Sequence, residues 1–132
     1  MQPSDSVDLS VSYPALEVCV VEVTGELDAL TTPFLEDCLR GLLDLGPMHL
    51  VIDLEAVSFL GSSALSALMQ CSRQLEIVRP GSVLHLTGTA RREVHRPLEL
   101  VGLLPLFRIH PTLGEALAQI ASDPDPVAQV HQ

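Results

Sequence analysis

The chain has 132 residues, enough for one compact domain with a core that needs neither disulfides nor metal. Seven arginines and no lysine stand against 17 acidic residues, for a net charge of −10, which argues against binding a phosphate backbone or an anionic membrane. Apolar residues make up 47%, too many for a disordered chain, yet no apolar run approaches the ~18–20 residues that span a bilayer. The polar start MQPSDSVDLS lacks the apolar stretch of a secretion signal, so the expectation is a soluble cytoplasmic protein.

Residues 1–6 read as a flexible start. Val7–Ser12 alternates apolar and polar, the pattern of a short edge strand, and Pro14 punctuates it. Leu16–Thr24 (LEVCVVEVT) is β-branched and reads as a central strand running into a loop, Gly25-Glu26-Leu27-Asp28. A helix follows, with Thr31 or Thr32 as cap, Pro33 in the first turn, and Glu36 and Asp37 near its positive end. Its apolar stripe is Phe34, Leu35, Cys38, Leu39 and Leu42, and Gly46-Pro47 stops it.

His49–Leu54 predicts a short strand buried on both sides. A loop through Ser58-Phe59-Leu60-Gly61-Ser62-Ser63 then opens a second amphipathic helix, carrying Leu65, Leu68, Met69, Ser72 and Leu75 and ended by Pro80-Gly81. Ser82–Thr87 is a strand, and Ala90–Leu100 a helix bent or broken at Pro97. Phe107–His110 is a short last strand, Thr112–Ala121 a terminal helix, and residues 122–132 a mobile tail. Strands alternating with helices predict a single α/β domain over residues 7–121, with a mixed four- to five-stranded sheet and about four helices.

Candidate chemistry is sparse. Cys19, Cys38 and Cys71 are odd in number and lack C-x-x-C spacing, so they read as small buried hydrophobes, with a redox-sensing thiol as the alternative. The five histidines show no metal-ligand spacing, and no glycine-rich phosphate loop exists, so neither metal nor cofactor is expected. Gly61-Ser62-Ser63-Ala64-Leu65 fails the last position of G-x-S-x-G, and the chain is short for a hydrolase. Arg91, Arg92 and Arg96 cluster on one helix, as a solvated face balancing Glu93 and Glu99 or as a dock for an acidic surface or a phosphate. An apolar pocket holding a nucleotide or lipid is a further alternative, against which the low aromatic content argues.

Two stretches carry a resemblance. Asp53-Leu54, Phe59-Leu60 and Gly61-Ser62-Ser63-Ala64-Leu65 follow a strand and open a helix, and Gly25-Glu26-Leu27-Asp28 precedes Thr32-Pro33. In this order and spacing the chain resembles the STAS domain family, and within it the bacterial anti-sigma-factor antagonists. Two positions depart from the family pattern: Gly61 stands where Asp is usual, and Ala64 where Gly is usual. The resemblance implies a switch rather than an enzyme. It implies a partner anti-sigma factor of the histidine-kinase-like ATPase fold, with Ser62 as phospho-acceptor. Gly25, Glu26, Asp28, Gly61 and Ser63 would then lie on the partner-binding face, with Ser63 also a supporting cap. A STAS interaction module without a phospho-switch, under redox or ligand control, is the alternative.

Overall fold

The computed structural model describes residues 7–122. The flexible start expected at residues 1–6 and the expected tail from residue 123 lie outside the described residues, while Ser122 still belongs to the last helix. In chain order the elements are β1 (Val7–Ala15), β2 (Val18–Leu27), α1 (Thr32–Leu45), β3 (His49–Leu60), α2 (Ser62–Val78), β4 (Val83–Thr87), α3 (Arg92–Leu100), β5 (Arg108–His110) and α4 (Leu113–Ser122), with a 3-10 turn at Leu104–Leu106.

The five strands form one mixed sheet in the order β1-β2-β3-β4-β5. β1 is antiparallel to β2, and β2 to β5 run parallel. The crossovers α1, α2 and α3 each join neighbouring parallel strands added in one direction. Right-handed connection then puts all three helices on the same face. There Cys19, Val21, Val23, Leu50, Ile52, Leu54, Leu84 and Leu86 meet the helical side chains Leu35, Leu39, Leu68, Leu75 and Leu98 in the main core. The opposite face packs Val18, Val20 and Val51 against Leu113, Ala116, Leu117 and Ile120 of α4. β3 is therefore covered on both faces, which is why its first half reads as a continuous apolar run.

Side chains alternate along a strand, so His49, Asp53, His85 and Thr87 project to the face opposite Leu50, Leu84 and Leu86. His49 Nδ1 lies 3.0 Å from His85 Nε2, and His85 Nδ1 3.0 Å from His110 Nε2. Beside them Thr87 donates its hydroxyl to Asp53 Oδ1 at 2.6 Å. Burial, with His49, His110 and Arg108 nearby, lowers His85 to about 3, so its imidazole is neutral near pH 7.

Several boundaries differ from the sequence-based expectations, each for a local reason. β1 continues to Ala15 by shifting register between Ser12 and Ala15, where Pro14 cannot donate to a ladder. β2 starts at Val18, because Leu16 and Glu17 form the connecting turn, with Glu17 at φ 62°. α1 begins at Thr32, which leaves Glu36 and Asp37 beyond its first turn; Asp37 instead pairs with Arg40 at 2.7 Å. Phe34 is not part of the buried stripe of α1, which consists of Thr32, Leu35, Leu39 and Leu42. α3 begins at Arg92 and continues through Pro97 to Leu100 rather than breaking there. The last strand begins one residue later than expected, at Arg108.

Candidate functional site

The two stretches behind the family resemblance meet at the carboxyl ends of adjacent parallel strands. β2 does not give way to a loop at Gly25: Gly25 pairs with Val57, Glu26 with Phe59, and Leu27 with Leu60. β3 likewise does not end at Leu54 but extends to Leu60. The extension is made possible by two irregularities in register, between Glu22/Thr24 and between Gly25/Glu26, where β3 spends one more residue than β2. Such bulges re-aim a strand and add twist. They bring Phe59 and Leu60 level with Glu26 and Leu27, directly before Gly61 and Ser62.

Asp28 builds the turn between β2 and α1. Its Oδ1 accepts the Thr31 N–H at 3.0 Å and the Leu30 N–H at 2.9 Å, while its own N–H donates to Thr31 Oγ1 at 2.9 Å. The Thr31 hydroxyl donates to the Glu26 carbonyl at 2.6 Å. The Thr31 N–H, supported by the Leu30 N–H, holds the Asp28 carboxyl below its ordinary value. One oxygen of Asp28 is thus committed to the turn, whereas the neighbouring Glu26 side chain is exposed. Gly25, at φ 112°, occupies a backbone region that side chains disfavour and lies between strand partners Val7 and Val57.

Gly61 is a single residue between strand and helix. Its N–H donates to the Leu27 carbonyl at 2.9 Å, and its own carbonyl accepts from Leu65 at 3.1 Å, closing the first turn of α2. The N-cap position therefore belongs to Gly61, with extended backbone (φ −89°, ψ 178°) and no side-chain cap. This corrects the cap role expected of Ser63, which with Ser62 forms the first two helical residues. Ser62 is exposed and Ser63 half-buried. Ala64 is fully buried, so its methyl group fills core space rather than facing a partner.

The edge of the β3 extension facing β4 has no strand beside it, since that pairing ends at Asp53–Thr87. Arg91 takes the place of a strand. Its Nη2 donates to the carbonyls of Glu55 at 2.7 Å and Val57, with the Leu54 carbonyl at 3.4 Å. Gly88, at φ 69°, lies against the same bulge: a β-carbon there would come within 2.5 Å of Glu55 N. The β4–α3 loop thus clamps the strand that carries Phe59 and Ser62. Sequence reasoning grouped Arg91 with Arg92 and Arg96, but it is a half-buried structural group, while the other two are not.

Sequence reasoning also missed the exposed apolar side chains at this end of the sheet. Leu30 is 81% exposed, Phe34 52% and Phe59 49%. The available signal was an excess of apolar residues: Phe34-Leu35 and Phe59-Leu60 are doublets, and only the second member of each is buried. The thiols lie elsewhere. Cys19 and Cys71 are buried and Cys38 half-buried, and burial raises all three, Cys71 to about 12, away from the thiolate a reactive cysteine needs. Among the described residues no group of three His, Cys, Asp or Glu is placed to hold a metal ion, and no helix is long and apolar enough to cross a membrane.

A mixed sheet in sequential strand order, three helices on one face, and a serine-opened helix beside the Gly-Glu-Leu-Asp turn define a STAS domain. The STAS domain model matches residues 12–116, and the chain belongs to that family. It is 35% identical over 121 residues, 91% of this chain and 94% of the relative, to the anti-sigma-F factor antagonist RsfB of Mycobacterium tuberculosis. The crystal structure of an anti-sigma factor antagonist from Mycobacterium paratuberculosis matches at 33% identity with a TM-score of 0.81, covering 92% of this chain and 100% of that one. The cell fate determinant SpoIIAA of Bacillus, in its phosphorylated form, shares the fold at 20% identity and a TM-score of 0.67, covering 86% and 99%.

Proposed function

We propose that this chain is a cytoplasmic anti-sigma-factor antagonist. It binds an anti-sigma factor of the serine-kinase, histidine-kinase-like ATPase type and so releases a sigma factor. Phosphorylation of Ser62 ends the binding. The chain supplies a docking surface and an acceptor hydroxyl, and the kinase supplies the ATP chemistry. No cofactor, metal or nucleic acid enters this reading.

The observation that carries it is Ser62 itself: an exposed hydroxyl at the first position of α2, at the end of the sheet where Glu26 and the apolar Leu30, Phe34 and Phe59 are also exposed. The 33–35% identity to antagonists over almost the whole chain supports it. A phosphate adds a charge of about −1.5 to −2, and a helix N-terminus accepts an anion without unfolding. The modification therefore acts locally, by putting charge and bulk on a surface that docks without them. An uncompensated charge in an interface costs several kcal/mol; a loss of about 4 kcal/mol weakens binding about a thousandfold.

The test pairs the unmodified chain with the purified anti-sigma factors of its own genome. One of them is expected to bind before ATP is added, to transfer phosphate to Ser62 when it is, and then to release the chain. Ser62→Ala should bind and resist release, and Ser62→Glu should fail to bind. Equal affinity of Ser62→Ala and Ser62→Glu would instead favour an interaction module without a phospho-switch, as would the absence of phosphate on Ser62.

A further inference from the structure

The arginines of α3 divide into two kinds. Arg91 points inward to the carbonyls of β3. Arg92 and Arg96, one helical turn apart, instead line a cleft of about 410 Å³ between α3 and the end of β3, together with Phe59, Leu60, Glu93 and Pro97. Two guanidinium groups against one carboxylate make this a local reversal of sign in a chain of net charge −10. Arg40 and Arg79 spend their charge on Asp37 and Glu17, whereas Arg92 and Arg96 have no ion-pair partner among the described residues. The cleft adjoins the candidate site through Phe59, whose ring lies beside Gly61, the residue before Ser62.

We propose that this cleft docks an acidic segment of the anti-sigma factor, with carboxylates on Arg92 and Arg96 and an apolar side chain against the Phe59 ring. The inference rests on the reading under Proposed function and deepens it by naming the chemistry of the partner's contact. Arginine pairs with carboxylates in a two-pronged geometry, and arginines and exposed aromatic rings are the residue types in which binding energy concentrates. Arg92 also sits at the N-terminus of α3, whose dipole adds to the attraction for an anion. Complementary rim charges chiefly raise the rate of encounter, so a positive landmark beside Ser62 on an otherwise acidic chain would steer an acidic segment to this face.

The test compares Arg92→Glu and Arg96→Glu with Arg73→Glu. Arg73 lines a separate cleft, among residues of α2, β4 and the segment around the 3-10 turn, so its reversal makes the same change in net charge away from the proposed dock. Affinity and association rate for the anti-sigma factor are measured across a range of salt concentrations. Each α3 reversal should weaken binding about tenfold or more, mainly through slower association, and flatten its salt dependence; Arg73→Glu should stay within about twofold of the parent. Arg92→Lys combined with Arg96→Lys should retain the salt dependence. Glu at the first position of α3 suits the helix dipole, so Arg92→Glu should fold, and an unchanged melting curve for each reversal separates lost docking from unfolding. If the parent chain binds and the α3 reversals behave like Arg73→Glu, this inference falls while the parent reading stands. If the parent chain binds no anti-sigma factor, the reading beneath it falls and takes the inference with it.

Discussion

The Gly61 N–H donates to the Leu27 carbonyl at 2.9 Å, tying the residue before Ser62 to the residue before Asp28. A β-carbon at Gly61 would lie 3.0 Å from Phe59 Cε2 and 3.3 Å from the Leu27 oxygen. The absence of a side chain at 61 is thus linked to the phenyl ring beside it: the ring occupies space that such a side chain would need. Gly61→Asp puts Asp on backbone angles that it tolerates and gives α2 a side-chain cap, a gain of a few tenths of a kcal/mol over Gly. The cap offsets the cost of moving a half-exposed ring, so urea unfolding should change by less than about 0.5 kcal/mol. The NMR signals of the Phe59 ring should shift. An unmoved ring would contradict this coupling.

Arg91→Ala removes the donor that serves the carbonyls of Glu55 and Val57. Hydrogen bonds from a charged donor contribute about 1.5–3 kcal/mol, so urea unfolding should reveal a loss of about 2 kcal/mol. Amide exchange should quicken chiefly over residues 54–60, because β2 still holds the other edge of that segment. Arg91→Lys should recover only part of the loss, since an ammonium lacks the planar fork. Uniformly faster exchange throughout the chain would mean that Arg91 does not act on this segment.

Gly88→Ala meets two obstacles. The residue has φ +69°, and the new methyl carbon would lie 2.5–2.7 Å from Glu55 N, Cα and Cβ, most of which is backbone and cannot swing aside. Gly81 meets only the first, with φ +88° and nothing within 4 Å. The backbone strain alone costs about 1–2 kcal/mol, so Gly81→Ala should lose about that much and Gly88→Ala about 3 kcal/mol or more. Equal losses at the two positions would show that Gly88 does not press on the bulge.

The strands and helices were legible because their signals are local. Within LEVCVVEVT the β-branched run from Val18 onward marks the strand, though not the turn that takes up Leu16 and Glu17, and Gly46-Pro47 and Pro80-Gly81 mark helix ends. The helix start at Ser62 and the turn at Asp28 were legible through their pattern in the chain, although Gly25 to Leu27, read as a loop, belong to β2. The extension of β3 to Leu60 was not, because Glu55 to Ser58 lack an alternating pattern and are held by Arg91, more than thirty residues away in sequence. Nor does sequence periodicity separate Phe34 from Leu35, or Phe59 from Leu60. Which member of each doublet faces solvent depends on the helix start and on the bulges, both tertiary facts. The histidine row was invisible for the same reason: His49, His85 and His110 become neighbours only through the parallel registers β3–β4 and β4–β5.

That row makes stability depend on pH. His85 is 1% exposed, lies between His49 and His110, and is lowered from 6.5 to about 3. Below about pH 6.5 the unfolded chain takes up a proton at this residue that the folded chain refuses, so acid favours unfolding. The contribution of His85 is fully present above about pH 6.5. It declines as pH falls toward 3, with a slope of at most about 1.4 kcal/mol per pH unit. His85→Gln cannot titrate and should lose that slope. Urea unfolding free energies for both proteins between about pH 7 and 5 provide the check, because the carboxylates common to the two cancel in the difference. The difference should shrink steadily toward acid, since the parent loses stability that the variant never had. A constant offset across the range would mean that the folded chain protonates His85 as readily as the unfolded one, and that the row beneath α4 does not keep this imidazole neutral.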